Sequence, residues 1–260
     1  MSLTYESYLS LKRLLELQQP RSTPPEHDEM LFIVTHQAYE LWFKQLLHEF
    51  EKVKRDFTNN DLYGAIHTLK RSRTIMKTLV GQLDILETMT PMSFTSFRDR
   101  LDTASGFQSV QFREFEFMLG YKRKEMLKYH HPGSEGHKVL IGRLEARTVV
   151  DHFYEFLAAW GVEIPAELTG RDVTEPNTPD EVVQEGVYQL YVREPAVGIL
   201  LELMTDFDEG FQEWRYRHVM LVSRTIGEKK GTGGSLGVDF LKRSLFQPLF
   251  PDLWAIRHRL

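Results

Sequence analysis

Two of the ten histidines in this chain fall in the middle of apolar helical stripes. In FIVTHQAYELWFKQLLHEF, residues 32–50, an advance of about 100° per residue sets Phe32, His36, Tyr39, Phe43, Leu46 and Phe50 on one face and turns His48 to the far side. In FQEWRYRHVMLVSRTIG, residues 211–227, His218 shares its side with Phe211, Trp214, Val222 and Thr225, and with Met204 and Phe207 upstream. A buried polar nitrogen left unsatisfied costs roughly 1–3 kcal/mol. Each imidazole is therefore either a hydrogen-bonded core histidine or a ligand or catalyst, and two such rings suggest a shared purpose. A metal or haem pocket is the chemistry that would use both.

The remaining histidines read more simply. His27 stands at a helix start, His130, His131 and His137 in a polar turn, and His258 at the tail, while His48, His67 and His152 are ordinary helix residues. The chain has no cysteine, which removes disulfides, iron–sulfur clusters, thiolate-ligated haem and cysteine nucleophiles together. No histidine has an acid three residues before it, so a carboxylate-bridged di-iron bundle is disfavoured. His27, Asp28 and Glu29 formally match a His-x-carboxylate pair for non-haem iron, but carboxylates in the first turn of a helix are explained by its dipole. Haem b, held by one axial histidine in an apolar pocket between helices, fits this composition best.

Two further segments offer polar chemistry. FRDRLDTASGFQS, residues 97–109, carries Arg98 and Arg100 among aromatic and small residues. Such an arginine is either paired at the surface with Asp99 or Asp102, or a clamp whose forked donors match a carboxylate. IGEKKGTGGSLG, residues 226–237, is either a helix stop followed by a loop or a backbone segment able to close over a polar ligand with Thr232, Ser235, Lys229 and Lys230. It has neither the Walker nor the dinucleotide glycine spacing.

The elements that must position these residues are helices. Helical periodicity predicts a short helix over Thr4 to Gln19, long helices from about Asp28 to Phe57 and from Asp61 to Glu87, and another from about Gln108 to Gly120. Residues 88–110 mix short helical and loop signals, HHPGSEG is a turn, and helices at about 138–160 and 180–193 flank the exposed connection IPAELTGRDVTEPNTPD. A last long helix is expected from Pro195 to Ile226, stopped by Gly227. No series of alternating strands, internal repeat or linker interrupts this pattern, so the expectation is a single all-α domain over residues 1–260.

With 260 residues, 42% of them hydrophobic and 27% charged, the chain can bury a sizeable core. Its 32 basic against 37 acidic residues leave a formal charge of -5 and no electrostatic reason to expect a nucleic-acid or anionic-membrane partner. There is no run of 18 apolar residues, and MSLTYESYLSLK lacks the basic start and apolar stretch of a signal peptide; the expected location is the cytoplasm.

Taken together, HDEMLFIVTHQAYELWFKQLLHE, FRDRLDTASGFQS, WRYRH and IGEKKGTGGSLG resemble, in order, the signature segments of the tryptophan 2,3-dioxygenase family, and the resemblance runs from YESYL at Tyr5 to the C-terminal helices. It implies an all-α haem b enzyme, a homotetramer built as a dimer of dimers, that inserts both atoms of O₂ across the indole C2–C3 bond of L-tryptophan to give N-formyl-L-kynurenine. Carried over by motif, His218 would be the axial iron ligand and His36 the distal residue that hydrogen-bonds the indole N–H. Arg98 would bind the substrate carboxylate and Thr232 the amino-acid end. Phe32 and Phe94 would wall the indole, with Ser105 and Gly106 over the haem edge. Tyr5, Tyr8 and Leu9, within an N-terminal segment of residues 1–20, would reach the pocket of a neighbouring subunit. Phe94 stands where some bacterial members have tyrosine, and Leu83 where a tryptophan can occur; both keep an apolar wall. Alternatives are a haem monooxygenase of a substituted indole on the same fold, a non-catalytic haem or tryptophan sensor, and a helical scaffold with two buried histidines.

Overall fold

A computed structural model describes residues 2–227, 229 and 237–260, and among them there are helices and no strands. The chain runs through α1 (Tyr5–Leu9), α2 (Leu11–Leu15), α3 (His27–Thr58), α4 (Leu62–Leu86), α5 (Pro91–Arg98), α6 (Val110–Met118), α7 (Glu135–Glu145), α8 (Val149–Ala159), α9 (Ala166–Thr169), α10 (Glu181–Arg193), α11 (Pro195–Ile226), α12 (Val238–Lys242) and α13 (Pro251–Ala255). The all-α expectation holds. Among the described residues no helix is long and apolar enough to cross a membrane.

The two 32-residue helices, α3 and α11, carry the two histidines, and α4 packs along both. Their apolar stripes form the core: Tyr39, Phe43, Leu46 and Phe50 from α3 meet Met204, Phe207 and Phe211 from α11, and all are buried. Ring pairs such as Phe50–Phe207 at 4.9 Å interlock the two stripes. Tyr39 also donates its hydroxyl proton to the Leu79 carbonyl at 2.7 Å, tying α3 to α4. A smaller cluster of Phe107, Phe117, Met126, Leu140 and Leu144 packs beside the main core with Phe240 and Leu241 against it.

Helix ends follow local chemistry. Asp61 caps α4 by accepting from the Gly64 amide at 2.9 Å, and Pro91 starts α5 behind the Thr90 cap. Gly227 ends α11 with a φ of 59°, open to glycine at no steric cost.

Two expected helices are broken. The first divides at Ser10, whose φ of 51° separates α1 from α2. The one expected at 138–160 is two: α7 begins earlier, at Glu135, and ends at Glu145, while α8 starts behind Thr148, whose side chain and Asp151 cap each other. Lys122 holds the break open by donating to the carbonyls of Leu144 (2.7 Å), Ala146 (2.6 Å) and Val173. His130, expected in a polar turn, is instead buried, because Met126 and its neighbours draw that segment into the smaller core.

Candidate active site

Between α3, α5, α6 and α11 lies a cavity of about 300 Å³, walled by members of both apolar clusters. His36 and His218 both line it, so the structure joins residues 182 positions apart that the helical stripes had singled out separately. His36 is accessible to solvent through this cavity, yet its ring is crowded by Phe32, 4.0 Å away between centroids. Burial pushes its pKa down, against the opposing pull of the Phe32 carbonyl and Glu40.

The hydrogen bond of His36 fixes its tautomer. Nδ1 lies 2.7 Å from the Phe32 carbonyl, which can only accept, so Nδ1 carries the proton. In the neutral ring Nε2 is then an acceptor.

His218 is the more strongly desolvated ring. Burial, with smaller contributions from His36 and Arg113, lowers its pKa to about 4, and it is neutral at ordinary pH. Trp214, one turn earlier on α11, stacks on it at 5.1 Å with 4° between the planes, and Trp214 is in turn wedged among Tyr39, Phe43, Phe112 and Phe211. The imidazole is thus oriented by aromatic packing. Among the described residues it has no hydrogen-bond partner.

A second aromatic contact sets Arg98. Phe94 and Phe97 on α5 pack on Phe32 at 5.9 and 5.7 Å, and Phe97 is fully buried, which anchors α5 against α3 and leaves the next residue, Arg98, on the cavity wall. Ser105 and Gly106 follow on the same wall, where Ser105 starts a single 3₁₀ turn. Leu83 supplies apolar lining from α4.

Comparison with known proteins gives the family. The family model for tryptophan 2,3-dioxygenase matches residues 1–175 and 181–260. The tryptophan 2,3-dioxygenase of Herpetosiphon aurantiacus is 51% identical over 256 residues, covering 98% of each chain, and that of Anaeromyxobacter sp. (strain K) is 47% identical over 259 residues, covering 100% of this chain and 97% of its own. The chain belongs to the tryptophan 2,3-dioxygenase family. Of the residues that the family resemblance singled out, the cavity gathers His36, His218, Phe32, Phe94, Arg98, Ser105 and Gly106. Thr232 lies outside the described residues. Tyr5, Tyr8 and Leu9 do not line this chain's own cavity; they are exposed, Tyr5 and Tyr8 by 76% and 71%.

No group of three or more histidine and carboxylate side chains that could hold a metal ion by themselves occurs among the described residues. The donor set suits a haem instead: a neutral, unpartnered imidazole held rigidly at an apolar cavity. Sequence reasoning missed a group of charges on the same wall, Arg113, Glu116, Arg123 and Arg215. Arg113 and Glu116, three apart on a helix, have the spacing of an ordinary surface ion pair, which gave no signal of burial.

Proposed function

We infer that this cavity is where the enzyme joins O₂ to L-tryptophan. As a tryptophan 2,3-dioxygenase it is an oxidoreductase, and the reaction inserts both oxygen atoms across indole C2–C3 to give N-formyl-L-kynurenine. The observation that carries the assignment of the site is the pair of neutral imidazoles on one apolar cavity, one oriented by Trp214 and the other with a defined acceptor nitrogen.

The family is haem-dependent, and His218 would hold the iron of haem b, with Ser105 and Gly106 beside the macrocycle edge. Bound there in the ferrous state, the haem supplies O₂ binding and activation. The protein supplies orientation. His36 Nε2 accepts the indole N–H, which positions the ring without requiring the proton to leave, because C2 and C3 react while the nitrogen keeps it. Phe32 and Phe94 wall an apolar slot for the indole, which displaces water from it on binding. Arg98 takes the substrate carboxylate and Thr232 its amino-acid end, so the side chain is presented in one direction.

The exposed N-terminal tyrosines support a homotetramer, a dimer of dimers, in which Tyr5, Tyr8 and Leu9 of one subunit complete the pocket of its neighbour. A single all-α domain over residues 1–260 acting in the cytoplasm completes this reading.

Its test is anaerobic reduction of the haem-loaded protein, addition of L-tryptophan and ¹⁸O₂, and mass spectrometry of the product. Two labelled oxygens in N-formylkynurenine are expected. One labelled oxygen would replace the assignment by a monooxygenase, and bound haem without product by a sensor.

A further inference from the structure

Three arginines converge on one carboxylate at the cavity wall. Arg113 and Glu116 lie one turn apart on α6, Arg123 follows that helix, and Arg215 comes from α11, three residues before His218. Glu116 accepts from Arg113 Nη1, from Arg123 Nη2 at 2.8 Å and from Arg215 Nη2 at 3.2 Å. Arg215 Nη1 also donates to the Gln247 carbonyl at 2.9 Å. All four side chains line the cavity.

The charges do not balance. Arg113, Glu116 and Arg215 are 5%, 1% and 3% exposed, and among the described residues Glu116 is the acidic partner of all three arginines and none has another. Burial would raise the pKa of Glu116, but the three guanidinium charges outweigh it and hold the carboxyl at about 2, so the cluster carries two positive charges in excess. Faces of Phe107, Phe112, Tyr121 and Phe211 cover the guanidinium groups at 4.4 to 5.8 Å, which eases their burial without neutralising them.

The hydrogen-bond ledger is also incomplete. The Nε atoms of Arg113, Arg123 and Arg215 are all buried with no partner. Arg113 Nη2 and Arg123 Nη1, which are not fully enclosed, also have no partner among the described residues. Buried polar groups in folded proteins are paired in the great majority, and a buried uncompensated charge is costlier than a buried neutral donor. Both shortfalls point to an anion that the described residues do not supply, with planar acceptors that match guanidinium forks.

We propose that Arg113, Arg123 and Arg215, organised by Glu116, form a carboxylate-binding site whose ligand is the propionate pair of the haem. The inference rests on the haem reading of the cavity given above. Two excess charges match two propionates, whereas the substrate brings a single carboxylate, for which Arg98 stands on the α5 wall. The placement of Arg215 one turn from His218, about 5 Å along the same helix, ties the anion site to the axial ligand. Glu116 has the role of a spacer that keeps three like charges from repelling one another apart.

The test compares haemin with haemin dimethyl ester, which keeps the iron and macrocycle and removes both negative charges. Haem-free full-length protein is titrated with each and followed by its Soret spectrum, for wild type, Arg113→Met and Arg123→Met. Wild type is expected to prefer haemin over the ester by at least about thirtyfold, and each variant to lose most of that preference while binding the ester as wild type does. Ester binding is the folding control, and Arg123, the least buried of the three, serves if Arg113→Met does not fold. An equal preference in wild type and variants overturns the proposal. So does stabilisation of the haem-free protein by inorganic phosphate that Arg113→Met abolishes without changing the haemin preference, which would assign the cluster to a free anion. A loss of discrimination between L-tryptophan and tryptamine in Arg113→Met would overturn it in favour of the substrate carboxylate. If wild type takes up neither haemin nor its ester, or if His218→Ala leaves both spectra unchanged, it is the haem reading itself that fails.

Discussion

At the scale of single residues, the role proposed for His36 turns on which of its nitrogens is an acceptor. Because Nδ1 is committed to the Phe32 carbonyl, Nε2 can receive an indole N–H but has no proton to give. Replacing His36 with Ala should therefore slow turnover while leaving haem uptake and the Soret spectrum intact; loss of haem would make His36 a second iron ligand instead. Arg98 is argued differently, from charge. Arg98→Leu should weaken L-tryptophan by at least about 2 kcal/mol, the scale of a broken buried charge contact, while tryptamine, which lacks the carboxylate, is hardly affected. Saturation curves for both amines in both proteins check this, and an equal loss for each would remove the clamp. Trp214 shows how an apolar residue bears on the same cavity: its 4° stack on His218 sets the imidazole plane, which no hydrogen bond among the described residues does.

Among the elements, the junction of α7 and α8 is held by one side chain. Lys122, 2% exposed, gives its ammonium protons to three carbonyls from two separate stretches of chain, and burial lowers its pKa to about 8. Lys122→Met keeps the apolar stem and strands those carbonyls. It should cost at least about 2 kcal/mol in denaturant unfolding and speed amide exchange at residues 144–148; an unchanged midpoint would show that water replaces the ammonium. This junction is also where the sequence misled. Ala146 to Thr148 contain neither glycine nor proline, so helical periodicity runs through them, and the mutual cap of Thr148 and Asp151 was the signal available. The break at Ser10 has no side-chain cap to announce it. By contrast α11 runs from Pro195 to Ile226 as read, because a proline at its first turn and a glycine at its stop mark both ends chemically. The histidines were legible for a related reason: an imidazole in an apolar stripe breaks the pattern of its own helix. Arg113 and Glu116 break no such pattern, since an ion pair three apart on a helix looks like a solvated surface; Phe107 and Phe112 cover Arg113, and Arg215 reaches Glu116 from α11, 99 positions away, which local sequence does not reveal.

Across the whole molecule, that buried cluster links α6, the segment after it, α11 and the C-terminal stretch at Gln247, so its charge state bears on how the fold responds to acid. Glu116 meets Arg113, Arg123 and Arg215, and burial, with Arg113 adding to it, disfavours charge on His130. A carboxyl whose folded pKa lies near 2 and whose ordinary value is 4.5 binds its proton more readily in the unfolded chain. Its stabilising effect is complete above pH 4.5 and is lost as pH falls through that window toward 2. The depression is worth about 3 kcal/mol. Asp208 and Asp252, whose pKa values are raised by burial despite hydrogen bonds, act with the opposite sign and partly offset it. Glu116→Gln separates the two effects, because it removes the titrating carboxyl from the cluster and leaves both aspartates. At pH 7 the variant should be the less stable by several kcal/mol, with three buried guanidinium groups and no anion between them. Between pH 4.5 and 2 the gap to wild type should shrink by about 3 kcal/mol, read from denaturant midpoints of the haem-free proteins. A gap that stays constant over that range would mean that Glu116 keeps its ordinary pKa, and that the arginines already share their charge with solvent.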